Sequence, residues 1–340
     1  MRRSTSTLLA SPCARRIAAA LALAVLPGAA AAQVERVPKT AEELQRQSGH
    51  VWDLAAKDRV EAVRPLRTKA FRRAIDDWRA GKTDLRRDLD VSWGEFLSGR
   101  GRPFLALALD RAADADLPAG KEVTVFGEIV DGAGKVVTSF ETEAAPEVSA
   151  GRAIVDVALP LPAGGARAVV GIAMRGEVRW LVGQALDLQP IARDTFALSR
   201  PVLSLDVHPL LAPQRPDDPF CFGGLRVTPR GDRAFRPSDA PWMFVVVRAP
   251  GIAEGAAPQL AGTLTIKPLE GAALRTYPIH DPTATPLRGF HGQWGLGIPL
   301  PVGGLTPGEY EASLRVSEKA GSASATAVAS FTVVASQPSR

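Results

Sequence analysis

Short apolar runs, cut at intervals of roughly 8 to 12 residues by glycine and proline, decide what this chain can fold into. Phe104, Leu105, Leu107 and Leu109 open the series. Runs at 122–130 and 135–142 follow, joined by Asp131-Gly132-Ala133-Gly134, a hairpin signal. Further runs lie at 154–161, 167–174 and 178–188. No helix-length amphipathic pattern alternates with them, which argues against a parallel α/β sheet. The 31 glycines and 28 prolines follow no fixed period, so they read as turns rather than as a fibrous repeat. The expectation is a mainly β chain of antiparallel sandwiches.

The second half repeats the plan, with strand-like runs at 242–248, 262–268, 293–300, 310–316 and 327–334. Ala158-Leu159-Pro160-Leu161-Pro162 in the first half resembles Gly297-Ile298-Pro299-Leu300-Pro301 in the second. Gly164 before Arg167-Ala168-Val169-Val170 pairs likewise with Gly308 before Glu311-Ala312-Ser313-Leu314. A period near 140 is too long for a solenoid and suits two sandwiches in tandem. Between the halves, 193–237 is rich in Pro and Gly. It reads as a linker, one strand over 202–207 and a long loop.

The N-terminus reads differently. Arg2, Arg3, Arg15 and Arg16 precede a short apolar run, Ile17 to Leu26, then Pro27-Gly28 and Ala30-Ala31-Ala32. That order is a secretory leader cleaved before Gln33, with too few apolar residues to span a bilayer. Cleavage removes 1–32 and takes the formal charge from +5 to +1. A charge near zero gives no case for nucleic acid as a partner. It also removes Cys13, so Cys221 stands alone, reads as a small buried hydrophobe, and no internal disulfide forms. Pro12 before Cys13 argues against lipidation, and the residues after Arg15-Arg16 lack the rest of a twin-arginine pattern.

Residues 33–99 are expected to be a helical segment. Thr40 with Glu42 and Glu43 resembles a helix start, and Pro65 ends or kinks that stretch. Phe71, Ile75 and Trp78 then mark one face of a second helix, closed by Gly81. Between Arg59 and Arg87 stand ten Lys/Arg against four Asp/Glu, the solvated face of helices or a patch for an anionic surface. The expected division is a leader at 1–32, helices at 33–99, a first sandwich at 100–192 and a second at 193–336.

Chemistry is sparse. The four histidines include His280 and His291, eleven apart with no helix to align them, and His208 before Pro209. That is not the convergent set a zinc site needs, and no metal or other cofactor is expected. No nucleophile elbow, phosphate loop or dinucleotide fingerprint is present. Asp217-Asp218 reads as loop solvation. Trp180 and Trp242 read as core. The candidate ligand-binding residues are Arg288, Phe290, His291 and Trp294, an aromatic-basic cluster; Trp294 is either a sugar or peptide platform or a core residue.

Leu305-Thr306-Pro307-Gly308-Glu309-Tyr310, followed by alternating Ala312, Leu314 and Val316, resembles the entry to a late strand in immunoglobulin-like and fibronectin type III-like sandwiches. The resemblance implies that Tyr310 bonds back to nearby backbone, a tyrosine corner. Ala166 stands where the first sandwich would carry that tyrosine. With Phe222-Gly223-Gly224 and Phe235-Arg236-Pro237-Ser238-Asp239, the pair is similar to modules of secreted bacterial proteins, some of which accompany von Willebrand-type or GWxTD domains. Asp90-Val91-Ser92-Trp93-Gly94 begins like a D-x-S-x-S metal loop but has Gly94 in place of the second serine, so that function is not implied.

Read together, these features describe a non-enzymatic binding or scaffold protein of the bacterial envelope, periplasmic or secreted. Its partner would be a protein or an envelope polymer, and the mature chain carries no transmembrane segment. The alternatives are a carbohydrate-binding module and a hydrolase with its site on the sandwich loops.

Overall fold

The computed structural model describes residues 58–335 except 84, 115, 163, 165–166, 189–190, 192–193, 211–214, 216, 223, 251, 253–255, 257, 272–273, 281, 283, 288–291 and 320–321. The leader, its cleavage site and the helix expected after Thr40 lie outside the described residues.

Most of the described strands form two sandwiches, antiparallel except for one two-residue pairing. The first contains β1 (Asp90–Leu97), β2 (Pro103–Ala112), β3 (Val123–Val130), β4 (Val136–Ala144), β5 (Glu147–Ser149), β6 (Arg152–Pro160), β7 (Arg167–Met174) and β8 (Glu177–Ala185). Its sheets run β1-β2-β6-β5 and β4-β3-β7-β8. Three consecutive strands never fill one sheet, so the chain crosses between layers in the Greek-key manner of immunoglobulin-like folds. Leu105, Leu107, Val125, Ile129, Val170, Ile172 and Trp180 fill the space between them.

After the short strands β9 (Ala197–Leu198) and β10 (Val202–Ser204) comes an insertion. It holds β11 (Asp206–Pro209), β12 (Cys221–Phe222) and β13 (Leu225–Thr228), a separate sheet in the order β11-β13-β12. The second sandwich continues with β14 (Ala234–Phe235), β15 (Trp242–Arg248), β16 (Leu260–Pro268), β17 (Arg275–Ile279), β18 (Thr285–Pro286), β19 (Gln293–Pro299), β20 (Gly308–Glu318) and β21 (Ser324–Val333). Its sheets run β10-β15-β19-β18 and β14-β21-β20-β16-β17.

The two strand orders correspond: β2, β6, β3 and β7 hold the places of β15, β19, β16 and β20. The Leu-Pro and Ile-Pro landmarks of the two halves end β6 and β19, which are the same strand of the repeat. The repeat read from sequence is therefore a repeat of topology.

Two expectations need correction. The first sandwich begins at Asp90, inside the stretch expected to be helical to 99. Asp90–Leu97 pairs along its whole length with β2, from Asp90↔Asp110 to Leu97↔Pro103. Its alternation is obscured because seven of its eight residues are buried, so polar Ser92 and Glu95 lie inside. The strand expected over 202–207 is two strands. Ser204 breaks it: its hydroxyl donates to the Thr228 carbonyl at 2.6 Å and accepts the Asp206 amide at 3.0 Å. β10 then pairs with β15 and β11 with β13. The long loop expected there thus carries a small sheet.

The helix α1 (Lys69–Arg79) covers the outer face of β4-β3-β7-β8. Phe71 and Ile75 are buried, and Phe71 stacks on Phe126 with ring centroids 4.4 Å apart. Two C-terminal bonds, Gly81 to the Trp78 carbonyl and Lys82 to the Asp77 carbonyl, close it, with Gly81 at φ +68°. That pairing needs a left-handed residue, which glycine adopts without steric cost. Among the described residues no helix is long and apolar enough to cross a membrane.

The sandwiches are fused rather than strung. In β2, Leu105, Leu107 and Leu109 face the first core, while Phe104, Ala106 and Ala108 face out. In β15, Met243, Val245 and Val247 face the second core, while Phe244 and Val246 face out. Both outward sets join Phe96, Phe220 and Phe222 in one buried cluster. A strand buried on both faces has no polar side to alternate with, which is why these two runs read as continuously apolar.

Candidate functional site

The seam leaves a cavity of about 680 Å³ at one end, in the size range of small-ligand sites. Its first wall is the end of β4 and the start of β5, from Thr142 to Glu147, with Val157 and Ala158 of β6 as floor. The opposite wall is the insertion: His208, Leu210, Arg215 and Cys221. A 3₁₀ turn, Arg59–Ala62, closes one end.

Charges fix that turn. The Asp217 carboxylate accepts the Arg59 and Val60 amides, both at 2.8 Å. Arg59 reaches Asp218 at 2.7 Å and Asp156 at 3.3 Å. On the other side, Asp58, 3% exposed, pairs with Arg100 at 3.2 Å. Arg226, nearly buried, completes the floor: it meets Asp156 at 2.5 Å and Glu147 at 3.4 Å, and donates to the Pro219 carbonyl at 2.7 Å. Burial favours the neutral form of each group, but the close carboxylates more than offset this and hold both Arg59 and Arg226 above the usual guanidinium range. The acidic pair Asp217-Asp218 is therefore part of the framework, not loop solvation.

Arg79 pairs with Glu128 at 2.8 Å, and Arg86 with Asp88 at 2.9 Å and Asp116 at 2.5 Å. With Arg59, these account for part of the positive excess between Arg59 and Arg87 as internal ion pairs. The described part of that stretch holds the helix α1 and the 3₁₀ turn Arg59–Ala62; most of the first expected helix lies outside the described residues.

Cys221 is half-buried on the cavity wall. Desolvation pushes its thiol up to about 12, although Arg226 opposes the rise. A protonated thiol is a poor nucleophile, so Cys221 brings no activated sulfur to the cavity wall.

Of the residues expected to bind ligand, Arg288, Phe290 and His291 lie outside the described residues. Trp294 is 4% exposed and packs in the second core with Met243, Leu296 and Leu314. Its ring is enclosed by that core rather than presented on the surface. Trp180 is buried in the first core, while Trp242 is only half-buried against the seam. Among the described residues no group of three or more His, Cys, Asp or Glu is placed to hold a metal ion. The cavity itself was missed in the sequence, because the stretches around Arg59, Ala145 and His208 that wall it lie far apart in the chain.

No family model matches the chain, and no curated protein matches it. A crystal structure of the FN1–FN3 domains of chicken CNTN1 is similar to it at 10% identity and a TM-score of 0.18. The match covers 72% of this chain and 65% of that one, so the chain spans just under two thirds of that structure. A score that low carries no argument about function; the two sandwiches stand on their own strand order and pairing.

Proposed function

We propose that this chain is an exported, non-enzymatic binding or scaffold protein of the bacterial envelope, and that the seam cavity receives its partner. The carrying observation is the fusion of the two sandwiches through the Phe96, Phe104, Phe222 and Phe244 cluster. A shared buried core holds both cavity walls in one fixed geometry, and a preorganised cleft lowers the ordering cost of binding. Export rests on the arginine leader, the apolar run and the Ala-Ala-Ala site. The partner is a protein or an envelope polymer.

A photo-crosslinking residue at Ala145, on the cavity rim, tests the reading in cells. The comparison is the same probe at Val328, exposed on the far sheet. Discrete adducts from 145 and none from 328 are expected, on a chain recovered from the envelope beginning at Gln33. Equal labelling at both positions, or none at 145, would remove the cavity as the binding site. Intact Met1 in a cytoplasmic fraction would remove export.

A further inference from the structure

A second charged cluster lies on β1, β2 and β6 of the first sandwich, and its charges do not balance. Asp110 on β2 is fully buried, and its carboxylate contacts the Arg152 Nε on β6. Arg152 also reaches Asp90 on β1 at 2.5 Å and Asp232 at 3.2 Å. Asp232 belongs to the loop leading from the insertion into the second sandwich, where Arg230 holds it at 2.7 Å. The same loop donates the Gly231 amide to Asp110 at 3.1 Å. Three carboxylates therefore share two guanidiniums across the boundary between the sandwiches. Space is tight as well: a Cβ on Gly231 would overlap the Asp110 carboxylate and the Asp90 Cβ.

The geometry points to a proton-operated latch, in which uptake of one proton by the Asp90–Asp110–Asp232 cluster docks the Arg230–Ala234 loop onto the first sandwich. Protonation leaves two carboxylates facing two guanidiniums, a balanced set. Loss of the proton leaves the set one negative charge in excess; Asp90 and Asp232 are partly exposed, so the cost falls on the carboxylate that water does not reach. Asp110 is the member most removed from water. Burial pushes its carboxyl up to about 7, with Asp90 and Asp232 adding to the rise and Arg152 opposing it. The sign follows from linkage. A carboxyl higher in the folded state than its ordinary 3.8 gives its full stability below that value, and the contribution is lost as pH rises towards about 7. The latch is therefore tighter in mild acid and looser in alkali. None of the five charged residues of this device lines the cavity.

Hydrogen exchange of the protein at pH 5.5 and 8.5, corrected for the intrinsic chemical rate at each pH, reads the latch at the Gly231, Asp232 and Ala234 amides. At least a tenfold greater protection at pH 5.5 is expected, with the β2 and β15 amides unchanged. Asp110→Asn carries no titrating proton and should show equal protection at both values. Should that variant fold poorly, Asp232→Asn removes one negative charge at a partly exposed position and should likewise flatten the difference. Equal protection in the unaltered protein would overturn the latch. So would a pH dependence that persists undiminished in either variant.

Discussion

The Tyr310 hydroxyl donates a hydrogen bond of 2.8 Å to the Thr306 carbonyl, four residues upstream, and lies 3.1 Å from the Thr306 hydroxyl. This is the tyrosine corner implied by Pro307-Gly308-Glu309-Tyr310. It pins the turn that enters β20, and the ring stacks on Phe331 with centroids 5.5 Å apart. Tyr310→Phe keeps the ring and removes the hydroxyl. The expected loss is about 1 kcal/mol, the usual net value of one hydrogen bond. Urea midpoints of the two proteins check it, and an unchanged midpoint would mean that the corner contributes nothing.

The seam makes a larger demand. Phe244 touches Phe222 and Trp242, with centroids 5.7 and 6.1 Å apart, and sits between the two sandwiches. Phe244→Ala should cost about 3 to 5 kcal/mol, the range for a buried aromatic replaced by alanine. Calorimetry adds a second readout. Sandwiches sharing a core should unfold in one transition, and the variant should separate it into two. A single transition with an unmoved Tm would contradict the shared core.

Gly183 is the contact that lets α1 dock. A Cβ there would overlap the Trp78 ring, and the Arg167 guanidinium lies over that ring at 5.4 Å. Gly183→Ala should cost about 1 to 3 kcal/mol, as overpacking does. Trp78 fluorescence should shift to the red before global unfolding. Unchanged emission together with an unchanged midpoint would argue against close packing at this point.

Thiol chemistry checks the cavity wall. With its thiol raised to about 12 by desolvation, Cys221 is almost entirely protonated at pH 8. Iodoacetamide should alkylate it at least a hundredfold more slowly than a free cysteine, and urea should restore the ordinary rate. Fast labelling of the folded protein would show that the wall is more open, or the thiol more acidic, than its surroundings indicate.

What the sequence determined by itself is local. Strand spacing, the Asp131–Gly134 hairpin, the Gly81 helix end and the Tyr310 corner each depend on residues within one turn or one alternation. The Asp131 side chain, for instance, accepts the Ala133 and Lys135 amides, both at 2.9 Å. Propensity and capping act over that range, so the pattern carries the information. The long-period repeat was legible for the same reason: two equivalent strands end in the same Pro-bearing turn.

What the tertiary structure alone decided is which surfaces meet. The unbroken apolar runs of β2 and β15 announce burial on both faces, but not that their outer faces join one cluster through Phe96 and Phe222. β1 escaped notice because its neighbours bury even Ser92 and Glu95, which erases the alternation that marks a strand. Trp294 is composed like a ligand platform and is packed as core. Asp110 is one acid among 36 Asp and Glu residues in the sequence. It becomes singular only when Asp90, Arg152 and Asp232 converge on it from three separate segments. Burial and charge balance are properties of juxtaposition, and residues this far apart are juxtaposed only by the completed fold.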